Sequence, residues 1–170
     1  VSGQQMQQVF KEVLYPKISQ QLPDEIFFYG AGCSNPQNLK TIKAALKSVF
    51  TKSAISVDHD LIGASRALCG HKKGIACILG TGSNSCFYNG KKIVKNSPGL
   101  GYVLGDEGSG AYLGKKVVQY FLYNTFDPDL MDRFNAKYHL SASEILDSVY
   151  KQPLPNRYLA RFCMFLSENR

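Results

Sequence analysis

The chain has 170 residues, enough for one ordinary domain or two small lobes, and a 44% hydrophobic content that supports a core. Only 19% of residues are charged, which excludes wholesale disorder, and no apolar run nears the ~20 residues of a membrane span. Twenty Lys and Arg against thirteen Asp and Glu give a net charge of +7, a balance that suits an anionic ligand, but the basic residues do not cluster.

Gln4 to Tyr15 carries apolar residues at helical spacing, and Pro16 is expected to bend or end that helix. Ile26 to Tyr29 reads as a strand closing on Gly30-Ala31-Gly32. Asn38 to Thr51 spaces Leu39, Ile42, Leu46 and Val49 as a helix, with Lys40, Lys43, Lys47 and Lys52 on its wet side. Ala54 to Val57 is a second strand running into Asp58-His59-Asp60, and Leu61 to Cys69 is a helix ended by Gly70. This β-α-β-α order implies parallel strands with crossover helices.

After a turn at His71-Lys72-Lys73-Gly74 the pattern changes, and a domain boundary is expected near Gly70–Gly74. Ile75 to Leu79 is a continuous apolar run that reads as a buried strand, with Cys77 a small core residue. Gly80-Thr81-Gly82-Ser83-Asn84 follows, then an extended stretch to Tyr88, a type I′ turn signal at Asn89-Gly90, and a return strand at Lys92-Ile93-Val94. Ser109 to Leu122 reads as an amphipathic helix, Ser141-x-x-Glu144 is a capping box opening another, and a last helix begins near Asn156 and runs almost to Arg170.

Gly80–Asn84 carries two glycines, two hydroxyls and an amide, groups suited to wrapping an anion with backbone N–H donors. It fits neither G-x-x-x-x-G-K-[ST] nor G-x-G-x-x-G, because Ser85 stands where a third glycine belongs. The loop joins strand to strand, so its donors must be its own N–H groups with the Thr81 and Ser83 hydroxyls. A plain tight hairpin is the competing reading. Asp60, at the C-terminal end of a parallel strand, is placed either as a general base or as a helix N-cap, and Asp58 or His59 could take the same part. Asp106, Glu107 and Ser109 are either capping groups or ligand contacts. Three glycines in seven residues, Gly99, Gly101 and Gly105, favour close backbone approach there. His71 and His139 read as surface residues, and Tyr102, Tyr120 and Tyr123 as packing.

The five cysteines are an odd number without a C-x-x-C pair, which fits reduced thiols in a cytoplasmic protein better than a metal centre. No signal peptide is visible.

The segments Tyr29-Gly30-Ala31-Gly32-Cys33, Val57-Asp58-His59-Asp60, Leu79-Gly80-Thr81-Gly82-Ser83-Asn84 and Leu104-Gly105-Asp106-Glu107-Gly108-Ser109 together resemble the BadF/BadG/BcrA/BcrD-type ATPases and the N-acetylglucosamine kinases of the actin/hexokinase/Hsp70 superfamily, with a bacterial flavour. The resemblance covers roughly residues 24 to 125. It implies an α/β, ribonuclease-H-like (actin-like ATPase) fold, with 1–72 the later part of an N-terminal lobe and 73–170 the early part of a C-terminal lobe bearing a helical insertion. It implies ATP and a sugar as partners, Mg²⁺ from the reaction class, no nucleic acid and no membrane, and it is compatible with a homodimer. By the same resemblance Gly80, Thr81, Gly82 and Ser83 match a second phosphate loop. Asp60 matches the catalytic aspartate that deprotonates the sugar 6-hydroxyl. Gly99, Leu100, Gly101 and Asp106 match the sugar-contacting segment, with Leu100 where the animal enzyme carries tryptophan. A first phosphate loop and an adenosine-gripping segment have no counterpart here, so this looks like a central piece, expected to be inactive alone. An activator ATPase and a non-catalytic sugar sensor of the same fold are the alternatives.

Overall fold

The computed structural model describes residues 2–33, 35–97 and 99–169, and its chain divides into two compact units, Val1–Ala76 with Phe87–Val94, and Cys77–Cys86 with Lys95–Arg170. In the first unit, helix α1 (Gly3–Val9) opens with a capping box between Ser2 and Gln5, widens into a π turn over Phe10–Leu14, and continues as α2 (Tyr15–Ile18). Pro16 therefore does not end the helix. The Tyr15 N–H already reaches back five residues to the Phe10 carbonyl, and Pro16 enters at the start of the next α-helical turn.

Strands β1 (Glu25–Gly30) and β2 (Ala54–His59) pair in parallel with Glu25 opposite Ala54 and Gly30 opposite His59. Helix α3 (Pro36–Val49) connects them, capped by Asn35, whose side chain accepts from the Gln37 N–H with Pro36 just inside. Alternation along β1 sends Ile26 and Phe28 to a core with Cys33, Ile42, Leu46, Phe50 and Ile55. Tyr29 faces the other way, where helix α4 (Asp60–Cys69) crosses it. A Cβ on Gly63 would come 2.8 Å from the Tyr29 ring, so only glycine admits that approach. Gly70 ends α4 at φ +57°, donating its N–H to the Arg66 carbonyl.

Strands β3 (Gly74–Leu79), β4 (Ser83–Tyr88) and β5 (Ile93–Ser97) lie side by side in that order. Two expectations fail here. β3 is not buried throughout. Ala76 is inaccessible, but Ile75 and Leu79 are 72% and 70% exposed and Cys77 is exposed rather than core. An unbroken apolar run does not cancel the pleat, which still presents alternate residues to opposite faces, and here one face is open. The Asn89 hairpin is also not type I′. Of its two central residues only Gly90, at φ +94°, has positive φ, whereas type I′ needs both, and Asn89 donates its N–H to the Lys92 carbonyl. The Asn89 side chain accepts from the Lys91 and Lys92 N–H groups, a local bond that holds it outside the left-handed region.

The second unit is mainly helical: α5 (Gly101–Leu104), α6 (Gly110–Leu122), α7 (Pro128–Tyr138), α8 (Ala142–Tyr150), α9 (Pro155–Ala160) and α10 (Cys163–Glu168). The Ser141–Glu144 capping box opens α8 as its spacing predicts. The single last helix is instead α9 and α10 with a break at Arg161–Phe162, and Arg170 lies outside the described residues. Phe134, fully buried, centres the core, its ring 4.1 Å from that of Phe121 and within about 6 Å of Phe126, Phe162, Phe165 and Tyr138. Helix α6 crosses α9 at Gly114, where a Cβ would overlap the Leu159 carbonyl oxygen.

Candidate active site

The turn after β3 is short and glycine-bearing because it must join neighbouring strands. Its first N–H, on Gly80, is spent on the Gly82 carbonyl at 2.9 Å. The Thr81 side chain is exposed, and among the described residues neither the Thr81 nor the Ser83 hydroxyl has a hydrogen-bond partner. The second turn prepares helix α6. Ser109 is the N-cap, wholly buried, accepting from the Tyr112 N–H at 3.1 Å and donating its own N–H to the Asp106 carbonyl at 3.0 Å. Capping is thus the work of Ser109 alone, and no acidic side chain lies in the first turn of α6. Asp106 stands before it at φ +58°, a left-handed conformation that Asp tolerates better than most residues.

The two turns meet. A Cβ on Gly82 would fall 2.7 Å from Asp106 Oδ2, and one on Gly99 would lie 3.4 Å from the Ser83 carbonyl and 3.8 Å from Asp106 Oδ1. Gly82 thus lets the Asp106 carboxylate lie close against the loop backbone, and it does so without a positive φ. Between the turns lies a cleft of about 410 Å³ whose walls include Ser83, Asn84, Gly99, Leu100, Asp106 and Glu107. Of the residues anticipated as ligand contacts, Ser83, Gly99, Leu100 and Asp106 line this cleft, whereas Gly80, Thr81, Gly82 and Gly101 do not. Leu100 is 59% exposed and offers an aliphatic surface at the cleft wall.

Asn84 also lines the cleft, and its Oδ1 is buried with no hydrogen-bond partner. An unpaired buried acceptor costs roughly 1–3 kcal/mol, which a ligand donor would return. The motif suggests the Asn84 amide as one of the anion-wrapping groups of the glycine turn and does not point to a buried acceptor. The signal for that role, an orphaned acceptor beside a carboxylate, exists only once β4 is folded.

Asp60 belongs to the first unit. It is the first residue of α4, with His59 as N-cap making no side-chain bond, so Asp60 is not the cap itself. Its Oδ1 accepts from the Leu61 N–H at 2.9 Å, which holds the carboxylate at the helix start. Asp58 instead accepts from the His59 N–H and lines a hollow of about 370 Å³ with Tyr29, Lys43 and Arg66. The Arg66 guanidinium donates to the Tyr29 hydroxyl at 2.6 Å, which, with help from Asp58, holds its pKa above the ordinary value. Asp58 sits in β2 and Asp60 begins α4, so the two carboxylates have different local partners, yet both act on Cys33. Burial is the main cause raising that thiol's pKa, the Asp60 and Asp58 charges add to it, and a backbone hydrogen bond at Gly30 works against it. The five cysteines lie on separate elements, and among the described residues no three His, Cys, Asp or Glu side chains gather as a metal site. Nor is any helix among them long and apolar enough to cross a membrane.

A mixed α/β chain with paired glycine turns framing a carboxylate-lined cleft defines a protein similar to sugar kinases in architecture, and comparison with solved structures narrows this. The chain matches the crystal structure of a "Putative N-acetylglucosamine Kinase" from Porphyromonas gingivalis at 41% identity and a TM-score of 0.92, over 97% of this chain and 59% of that one. A protein of the same description from Chromobacterium violaceum matches at 21% identity and a TM-score of 0.66, over 98% of this chain and 62% of that one, and shows likeness of fold alone. This chain therefore spans about three-fifths of the length of the structures it matches. No protein-family model matches it, and no curated protein matches it. The resemblance read from the motifs is borne out by this similarity to a "Putative N-acetylglucosamine Kinase" over nearly the whole of the chain.

Proposed function

We propose that the chain belongs to an ATP-dependent sugar kinase that phosphorylates the 6-hydroxyl of N-acetylglucosamine or a related amino sugar. The observation that carries this is the meeting of the two glycine turns, with the Asp106 carboxylate against Gly82 and the unpaired Asn84 amide in the same cleft. Sugar recognition needs fixed acceptors for several hydroxyls, and a carboxylate beside a desolvated amide supplies them. The 41% identical neighbour supports the kinase class. In this reading the fold is the actin-like ATPase fold, with 1–72 in an N-terminal lobe and 73–170 in a C-terminal one.

The roles then follow from side-chain chemistry. The Thr81 and Ser83 hydroxyls and the loop amides bind the phosphates of ATP. Asp106 and Asn84 hold sugar hydroxyls, Gly99 and Gly101 let the backbone approach the sugar, and Leu100 packs against its ring. Asp60 takes the proton of the 6-hydroxyl as its oxygen attacks the γ-phosphorus, and ADP leaves. Mg²⁺ neutralises charge on the transferring phosphates and is held largely by them, so it needs no dedicated cluster of protein ligands.

Calorimetry and a coupled assay on the full-length protein, with Asp60→Asn beside it, test this. A kinase binds N-acetylglucosamine and ATP and turns over, and the variant keeps both ligands while losing roughly 10²–10⁴ in rate. Sugar binding without turnover in the unaltered protein would instead establish a sensor, and failure to bind either ligand would refute the proposal.

A further inference from the structure

We infer that helix α6, through Gly110, sets which way the donor groups of the Gly80–Ser83 loop face; this rests on the reading of that loop as a phosphate site. A helix start normally offers free N–H groups to an anion, but here they are already engaged. Gly110 donates to the Gly80 carbonyl at 2.8 Å, Ala111 to the Thr81 carbonyl at 3.1 Å, and Tyr112 to the Ser109 hydroxyl at 3.1 Å. Helix α6 is thus a clamp on the carbonyl side of the loop.

Peptide planarity carries the consequence to the other side. In a trans peptide the carbonyl and the following N–H point in opposite directions, and the chain contains no cis bond among the described residues. With the Gly80 and Thr81 carbonyls turned to α6, the Thr81 and Gly82 N–H groups are turned away from it. The Gly80 N–H is spent within the loop on Gly82, so Thr81 and Gly82 supply the oriented donors.

Gly110 is where this arrangement has no slack. A Cβ there would stand 3.2 Å from the Gly80 carbonyl oxygen and 3.3 Å from the Ala160 Cβ on α9. Ala160 backs the helix, so the side chain of an alanine at 110 moves the Gly80 carbonyl and rotates the peptide that carries the Thr81 N–H. Gly110 is a positioning residue, acting on phosphate through the loop.

The test is titration of ¹⁵N-labelled protein with inorganic tripolyphosphate, then MgATP, following the loop amides. In the unaltered protein the Thr81 and Gly82 resonances shift most. In Gly110→Ala, affinity falls about fivefold, the equivalent of one ordinary hydrogen bond, while melting temperature holds or rises because alanine is the better helix former. If the loop amides of the unaltered protein ignore both probes, the phosphate-site reading fails and this inference with it. If they respond and Gly110→Ala binds as tightly, the positioning inference alone is overturned. Hydrogen exchange on the unaltered protein needs no variant: tripolyphosphate slows exchange at Gly110 and Ala111, and unchanged rates there overturn the clamp.

Discussion

Asn84→Ala is expected to move stability and sugar affinity in opposite directions. The substitution removes a buried oxygen that has no hydrogen-bond partner, releasing a desolvation cost of roughly 1–3 kcal/mol. Against this stands the lost packing of a half-buried side chain, which leaves no sealed void because Asn84 borders the open cleft. The two effects nearly offset, so the sugar-free protein should be unchanged or more stable by up to about 1 kcal/mol, a rise of no more than ~4–8 °C in the melting temperature of a unit of this size. Sugar affinity should fall by roughly 5- to 150-fold, since the ligand hydroxyl loses an acceptor worth about 1–3 kcal/mol in a desolvated setting. Thermal unfolding by circular dichroism, with and without N-acetylglucosamine at graded concentrations, reads both quantities, because a ligand that binds only the native state raises stability by RT ln(1 + [L]/Kd). A sugar-free variant destabilised by more than about 1 kcal/mol would show that Oδ1 is satisfied in solution. An undiminished sugar-induced stabilisation would show that Asn84 does not touch the ligand. Either result refutes the reasoning.

Two further predictions concern the frame that holds the cleft. Gly114→Ala places a methyl group on the Leu159 carbonyl, a backbone obstacle that cannot swing aside, so the overpacking outweighs alanine's helix propensity and costs about 1–3 kcal/mol by urea unfolding. The Glu144 carboxylate accepts from the Ser141 N–H at 2.8 Å and from its hydroxyl at 2.7 Å, which lowers its pKa below the ordinary glutamate value. A depressed carboxylate pKa stabilises the fold above the unfolded-state value, and that contribution is lost as pH falls through the folded value. NMR titration should show Glu144 returning towards an ordinary glutamate in Ser141→Ala, with the acid-side loss of α8 structure starting at higher pH.

Most elements were legible because the forces that form them act over a few residues. The Ser141–Glu144 box, the Gly70 stop and the helical spacing of Leu39, Ile42 and Leu46 are all local signals, and each element appears where they put it. Helix α7 also carries readable local signals, Asp127 capping the Leu130 N–H ahead of Pro128 and the i, i+4, i+8 spacing of Leu130, Phe134 and Tyr138. Of the two outcomes expected at Pro16, a bend or an end, the end does not occur. A rule about missing hydrogen bonds assumes a regular ladder, and the π turn had already altered it.

The two glycine turns show where local information ends. Composition and order alone marked Gly80–Asn84 and Gly105–Ser109 as places where chemistry could happen, but left a tight hairpin and a helix cap as equally open uses of the same residues. Folding decided how they are used. It brought Asp106 against Gly82, left Asn84 Oδ1 without a partner, spent the first amides of α6 on the loop's carbonyls, and opened one face of β3 to solvent. Each of these depends on which atoms from distant parts of the chain arrive together and which are desolvated in doing so. Neither quantity is a property of any short stretch of sequence.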